Sequence, residues 1–205
     1  MTAPQRLNQL LRPIPAWPLY IIGAAYAGWL FYLGLTGGLG VEPINALERA
    51  YGEVGFQLLL VTLLITPLRD WVGVNLIKYR RALGVLTFFF ILAHFTVWAL
   101  LDVQSLERVW ADIIKRPYVT VGMAAFLLMV PLALTSNNLS IRKLGPLAWR
   151  KLHKLTYPVA ALASLHWLWL MKGFQIEPVL YAVATFGLLA YRFWPKSQNR
   201  AVSRA

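Results

Sequence analysis

The chain has 205 residues, of which 59% are hydrophobic and only 14% charged, and its formal net charge is +12. Soluble domains average about 45–50% apolar and about 25% charged residues, so the composition excludes an ordinary water-soluble globule and indicates a membrane protein. Cysteine is absent, which excludes disulfides, thiolate metal sites, Cys-bound iron–sulfur clusters and covalent CxxCH haem attachment.

A bilayer-spanning helix needs about 20 apolar residues. Six segments read as spans, at roughly 17–36, 53–68, 83–101, 119–136, 149–171 and 178–194. The first is long for a signal peptide, and AAYAG is a weak cleavage site, so it is expected to be retained. The second is short, and Pro67 is expected to close it. After the third, DVQSLERVWADIIKR at 102–116 carries apolar residues at helical spacing and predicts a short surface helix. Pro117 then predicts the start of the fourth span. The fold expected is an all-α integral membrane protein, a six-helix transmembrane bundle forming a single domain over 1–205.

The charges divide sharply between the two sides of such a bundle. With both termini on one face, that face receives Arg6, Arg12, Arg69, Lys78, Arg80, Arg81, Arg142, Lys143, Arg150, Lys151, Lys154, Arg192, Lys196, Arg200 and Arg204, with Asp70 as its single acid. The opposite face receives Arg49, Arg108, Lys115, Arg116 and Lys172 together with the remaining acids. Positive residues mark the cytoplasmic side, so both termini are expected there. The excess of positive charge thus reads as topology and lipid contact, with no nucleic-acid role. The connections between spans are short and leave no room for a nucleotide-binding or catalytic domain.

Three histidines carry the chemical signal. His94 lies in FFFILAHFTVW and His166 in ALASLHWLWL, both within expected spans, and His153 lies in WRKLHKLTY near the start of the fifth. Ionisable side chains at membrane depth are costly and mark functional sites, although a lone histidine can also serve as an interhelical hydrogen-bond partner. His153 and His166 are separated by roughly 20 Å of helix rise and about 140° of rotation on one ideal helix, so they cannot bind the same metal. Pro158 is positioned to alter that angle. His94 is closest in depth to His166. A haem between the two helices would take one imidazole from each, leaving no open iron position, which suits electron transfer. Zinc fits less well, because it wants three or four ligands and no membrane-depth carboxylate is found. His153 has three readings: ligand of a second haem, contact for a flavin or quinone head group, or interfacial side chain with no cofactor.

Matching segments run along nearly the whole chain: TGGLGVEPINALERAYGEVG at 36–55, LITPLRD at 64–70, RRALG at 80–84, KRPYVTVG at 115–122, LTSNNLSIRKLGPLAWRKLHKLTYP at 134–158 and LHWLW at 165–169. In order and spacing these resemble the haem-binding membrane subunit of the bacterial periplasmic methionine sulfoxide reductase system, the MsrQ family, within the ferric-reductase-like transmembrane group. The resemblance implies a b-type haem on His94 and His166, in a multi-pass protein of the bacterial inner membrane. It implies electron transfer from respiratory quinol, with FMN also associated, to a periplasmic molybdopterin-containing reductase that repairs methionine sulfoxide in envelope proteins. The wider group holds two haems with four histidines. Here the first histidine of the third span is missing and Arg80–Arg81 lie near that level, so the number of haems, one or two, stays open.

Arg80 and Arg81 have two readings, positive-inside topology or neutralisation of a flavin phosphate or haem propionate. Lys151 and Lys154 flank the same level. Trp149, Tyr157, Trp167 and Trp169 surround the histidines as packing or interface aromatics, and Ala160, Ala161, Ala163 and Ser164 permit close approach of a helix or porphyrin. The 102–116 helix is a candidate docking surface for the periplasmic partner. Two alternatives compete with the cytochrome reading. One is a ferric or NADPH-oxidase-like reductase fed by a separate cytoplasmic flavoprotein. The other is a non-redox transporter or assembly protein with structural histidines.

Overall fold

Proline and polar caps set many of the helix starts. The computed structural model describes residues 1–171, 173 and 175–193, and all regular structure in them is helical. Helix α1 (Ala3–Leu11) is a short amphipathic helix that the apolar pattern does not announce. It is followed by α2 (Trp17–Leu35), α3 (Pro43–Pro67), α4 (Arg80–Thr96), α5 (Leu106–Lys115), α6 (Pro117–Leu134), α7 (Asn138–Leu144), α8 (Pro146–Leu152), α9 (Thr156–Trp169) and α10 (Ile176–Phe193). Proline occupies the first position of α3, α6 and α8, where the missing N–H has no helical partner to lose. Ser105 and Asn137 cap α5 and α7 by accepting from the N–H groups of Arg108 and Ser140.

Among the described residues, five helical segments are long and apolar enough to cross a membrane: Trp17–Leu35, Pro43–Val72, Ile77–Val103, Pro117–Leu134 and Ile176–Phe193. Their outer surfaces are apolar, as on α2, where Ile22 is 63% and Trp29 55% exposed. Surfaces of this kind are lipid-facing.

Three expectations need correction. The helix of the second span begins ten residues early, at Pro43, so Glu48 and Glu53 lie on that same helix. Pro67 does not end it. The chain continues through a π-helical turn over Leu68–Val72, and the carbonyl of Leu63, deprived of its usual donor by Pro67, accepts from Arg192 Nη2 at 3.1 Å. The predicted fifth span is also not one helix. A 3-10 turn at His153–Leu155 divides α8 from α9, with Pro158 in the first turn of α9, so the single-helix angle between His153 and His166 does not apply. The end of the sixth segment, Trp194, and Lys172, Lys196, Arg200 and Arg204 lie outside the described residues.

One end of the bundle is tied together by polar contacts. Lys78 Nζ donates to the carbonyls of Leu11, Arg12 and Ile14. Asn8 bonds both Gly73 and Asn75, Arg81 donates to Asn138 at 2.8 Å, and Tyr191 donates to Asp70 at 3.0 Å. The N-terminal helix, the 68–81 connection, the start of α7 and the end of α10 therefore gather at the same end. The central core is built from Phe56, Leu59 and Leu63 of α3, Met129 of α6, and Val159 and Ala160 of α9.

Candidate functional site

The bundle brings His94 and His166 together. Their ring centres are 6.4 Å apart and the ring planes are inclined at 76°. Both imidazoles are fixed in the same way by a helix other than their own. His94 Nδ1 donates to the carbonyl of Glu48 on α3 at 2.9 Å, and His166 Nδ1 donates to the carbonyl of Tyr118 on α6 at 2.7 Å. A carbonyl can only accept, so each Nδ1 carries the proton and each Nε2 presents its lone pair. Neither Nε2 has a hydrogen-bond partner among the described residues.

This donor set fits a metal held between two imidazoles. Bonds of about 2 Å on opposite sides of one metal, added to the distance from nitrogen to ring centre, place the two centres about 6–6.5 Å apart. The 6.4 Å separation falls in that range. A carbonyl acceptor behind each ligand ring is the usual second support of a metal-bound histidine. Among the described residues no group of three His, Asp or Glu side chains converges, so the two imidazoles are the nitrogen donors this level of the bundle offers.

Sequence reasoning missed the seats on which these rings rest. Gly52 and Gly122 each stand four residues after the accepting carbonyl. A Cβ on Gly52 would lie 3.0 Å from His94 Nδ1, and one on Gly122 would lie 2.8 Å from His166 Nδ1. For Gly122, a glycine inside the apolar pattern TVGMA was the available signal; Gly52, in ERAYGEV, lies outside the expected second span and gave none.

His153 is arranged differently. Its Nε2 meets Thr135 Oγ1 at 3.1 Å, and its ring stacks on Trp149 at 3.9 Å between centres. Trp149 Nε1 donates to the Thr135 carbonyl at 2.8 Å, so Trp149 and His153 together clip the end of α6. The structure also separates the two predicted arginines. Arg81 is occupied by Asn138. Arg80 is half-buried and lies in the electrostatic field of Arg192 and Arg69. Arg192, which the sequence presents only as a topological charge, has a buried Nε with no hydrogen-bond partner. Among the aromatics, Trp167 packs on Phe56 and Tyr181, Tyr157 meets Phe193, and Trp169 is exposed. Ala160 and Ser164 are buried.

Residues 51–176 match the family described as the ferric reductase like transmembrane component. Proteins of Brucella ovis and Brucella melitensis biotype 2, each named protein-methionine-sulfoxide reductase heme-binding subunit MsrQ, are 47% identical to the chain over 177 residues, covering 86% of this chain and 80% of theirs. The chain belongs to the MsrQ family. It is accordingly a multi-pass membrane protein, and the matched ferric-reductase-like region contains all three histidines and both seat glycines. No solved structure matches the chain.

Proposed function

We propose that the chain is a membrane b-type cytochrome in which His94 and His166 hold haem between α4 and α9. The observation that carries this reading is the 6.4 Å imidazole pair with both Nδ1 atoms tied to carbonyls. Bound haem would supply one-electron chemistry, and with both axial positions occupied it would offer no open site to a substrate. The protein's part is to orient the two rings, commit each Nε2 to the iron and exclude other ligands. Electrons would come from respiratory quinol and pass to a periplasmic molybdopterin-containing methionine sulfoxide reductase. The names of the relatives support the sulfoxide reductase link.

The topology we favour is six crossings of the inner membrane with cytoplasmic termini. The α8–α9 segment would supply the sixth crossing. Support comes from the contacts that hold the N-terminal helix, the 68–81 connection and the end of α10 at one end of the bundle. At that end the half-buried Arg80, with the unpartnered Nε of Arg192, suits an anionic group such as an FMN phosphate or a haem propionate. A second haem on His153 would have to displace Thr135 from Nε2. On the opposite face, α5 exposes Leu106, Trp110 and Ile114 at i, i+4, i+8 spacing and is the docking surface we assign to the periplasmic partner.

The test is optical. The purified protein should show a redox-sensitive haem band that His94→Ala and His166→Ala each eliminate. Full retention of a bis-imidazole spectrum in either variant would overturn the pairing. Haem per chain in wild type and His153→Ala measures the second site directly.

A further inference from the structure

We infer that Gly52 and Gly122 are positioning residues for the iron ligands, and that they act by uncovering one backbone carbonyl each. The inference rests on the haem reading above and concerns how the ligand rings are set.

In an α-helix the carbonyl of residue i accepts from the N–H of residue i+4, and the Cβ of i+4 leans back toward the N-terminus. That Cβ therefore overhangs the outward side of the carbonyl, where a second donor must approach. Glu48 and Gly52 stand in this i, i+4 relation on α3, and Tyr118 and Gly122 stand in it on α6. In both cases the position that would block the second donor is glycine, and in both cases the second donor is the Nδ1 of a candidate ligand. The device occurs twice, on two helices, facing the two rings that meet at 6.4 Å. Most other helical glycines do nothing comparable. A Cβ on Gly28, Gly84 or Gly187 meets nothing within 4 Å, and one on Gly55 meets the Ile91 side chain at 2.6 Å.

The two seats are not equally tight. At Gly122 an added Cβ would come within 2.8 Å of Nδ1 and 2.9 Å of Cε1 of His166, closer than real Cβ contacts come. At Gly52 the corresponding distances to His94 are 3.0 and 3.3 Å, which a small ring shift relieves. Alanine at 122 must therefore push the ring off the carbonyl, whereas alanine at 52 need only tilt it. Losing the Nδ1–H···O=C bond lowers the basicity of the ligand and disfavours the ferric iron. Moving either ring also changes the 76° angle between the imidazole planes.

The test uses the full-length haem-loaded protein in detergent and reads the ferric EPR signal and the midpoint potential. Wild type should give the strongly anisotropic low-spin signal of near-perpendicular imidazoles. Gly122→Ala should change that signal and raise the potential. Gly52→Ala should do the same to a smaller extent. Gly84→Ala, whose added Cβ meets nothing within 4 Å, should leave both unchanged, and Gly55→Ala, which crowds Ile91 but no imidazole, should change them less than either seat variant. If Gly122→Ala does not accumulate, Gly52→Ala decides alone. A wild-type EPR signal and potential in the seat variants would overturn the inference. So would an equal change in Gly55→Ala, because general packing would then explain it. A wild-type protein with no bis-imidazole signal would instead sink the haem reading itself.

Discussion

Pro67 and Arg192 should be thermodynamically coupled although they lie on different helices. Pro67 provides no N–H to the carbonyl of Leu63, and Leu68 N–H turns to Leu64 and Ile65 instead. Leu63 is 0% exposed, so water does not substitute. The described donor is Arg192 Nη2 at 3.1 Å. Arg192→Leu would strand this carbonyl, at a cost of about 1–3 kcal/mol for a buried unsatisfied group. Part of that loss is offset because the buried, unpartnered Nε of Arg192 and its repulsion of Arg80 disappear too, so a net loss of about 1–2 kcal/mol is expected. Pro67→Ala restores an N–H at the right position. In that background Arg192→Leu should cost about 1 kcal/mol less, a coupling of the size that contacting groups show. Equilibrium unfolding of the four proteins in mixed detergent micelles measures the cycle. If Arg192→Leu costs the same in the wild-type and Pro67→Ala backgrounds, the two residues are not linked through the Leu63 carbonyl and the reasoning fails.

Three further outcomes rest on the described contacts. Lys78→Met removes the ammonium that caps the carbonyls of Leu11, Arg12 and Ile14 at the end of α1 and beyond it and should cost about 1 kcal/mol, since these bonds are solvent-exposed; limited proteolysis should then cut within residues 12–16 faster than in wild type. Thr135→Val removes the hydroxyl partner of His153 Nε2 and should lower stability by about 1 kcal/mol, read by thermal unfolding, while the haem band assigned to His94 and His166 stays intact. Trp110→Ala, at a side chain 66% exposed on α5, should weaken electron delivery to the periplasmic reductase about tenfold or more if that face is the docking surface, with an unchanged optical spectrum; unchanged delivery would remove α5 from the interface.

The parts of this protein readable from sequence are those governed by local chemistry. The bounds of α2 and α6 follow from apolar runs and, for α6, from Pro117. The approach of His94 to His166 was legible as a likeness of depth, because His94 is nearer the level of His166 than that of His153. The start of α3 was hidden because Glu48, Arg49 and Glu53 interrupt the apolar pattern, although they lie along the helix. The π-helical turn beyond Pro67 was hidden because the arginine that satisfies the freed carbonyl lies more than a hundred residues away. Gly52 and Gly122 were visible as glycines but not as seats, since their purpose depends on which foreign side chain approaches them. For His153 the depth was legible but the neighbours were not, and Thr135 and Trp149 make the difference between it and the other two.

The arrangement of seats also bears on how the protein is put together. His94 leans on the helix just before its own, α3. His166 leans on α6, the spanning helix preceding α9. These two pairs, α3 with α4 and α6 with α9, are the most extensively packed in the molecule. Each half of the chain can therefore orient its own imidazole as it enters the bilayer during synthesis, before the other half has arrived. The haem site proposed for this imidazole pair would then form where the two halves close on one another. On that reading haem capture would follow the meeting of the halves, and a chain cut within 104–116 would keep each candidate ligand with the helix that holds its ring.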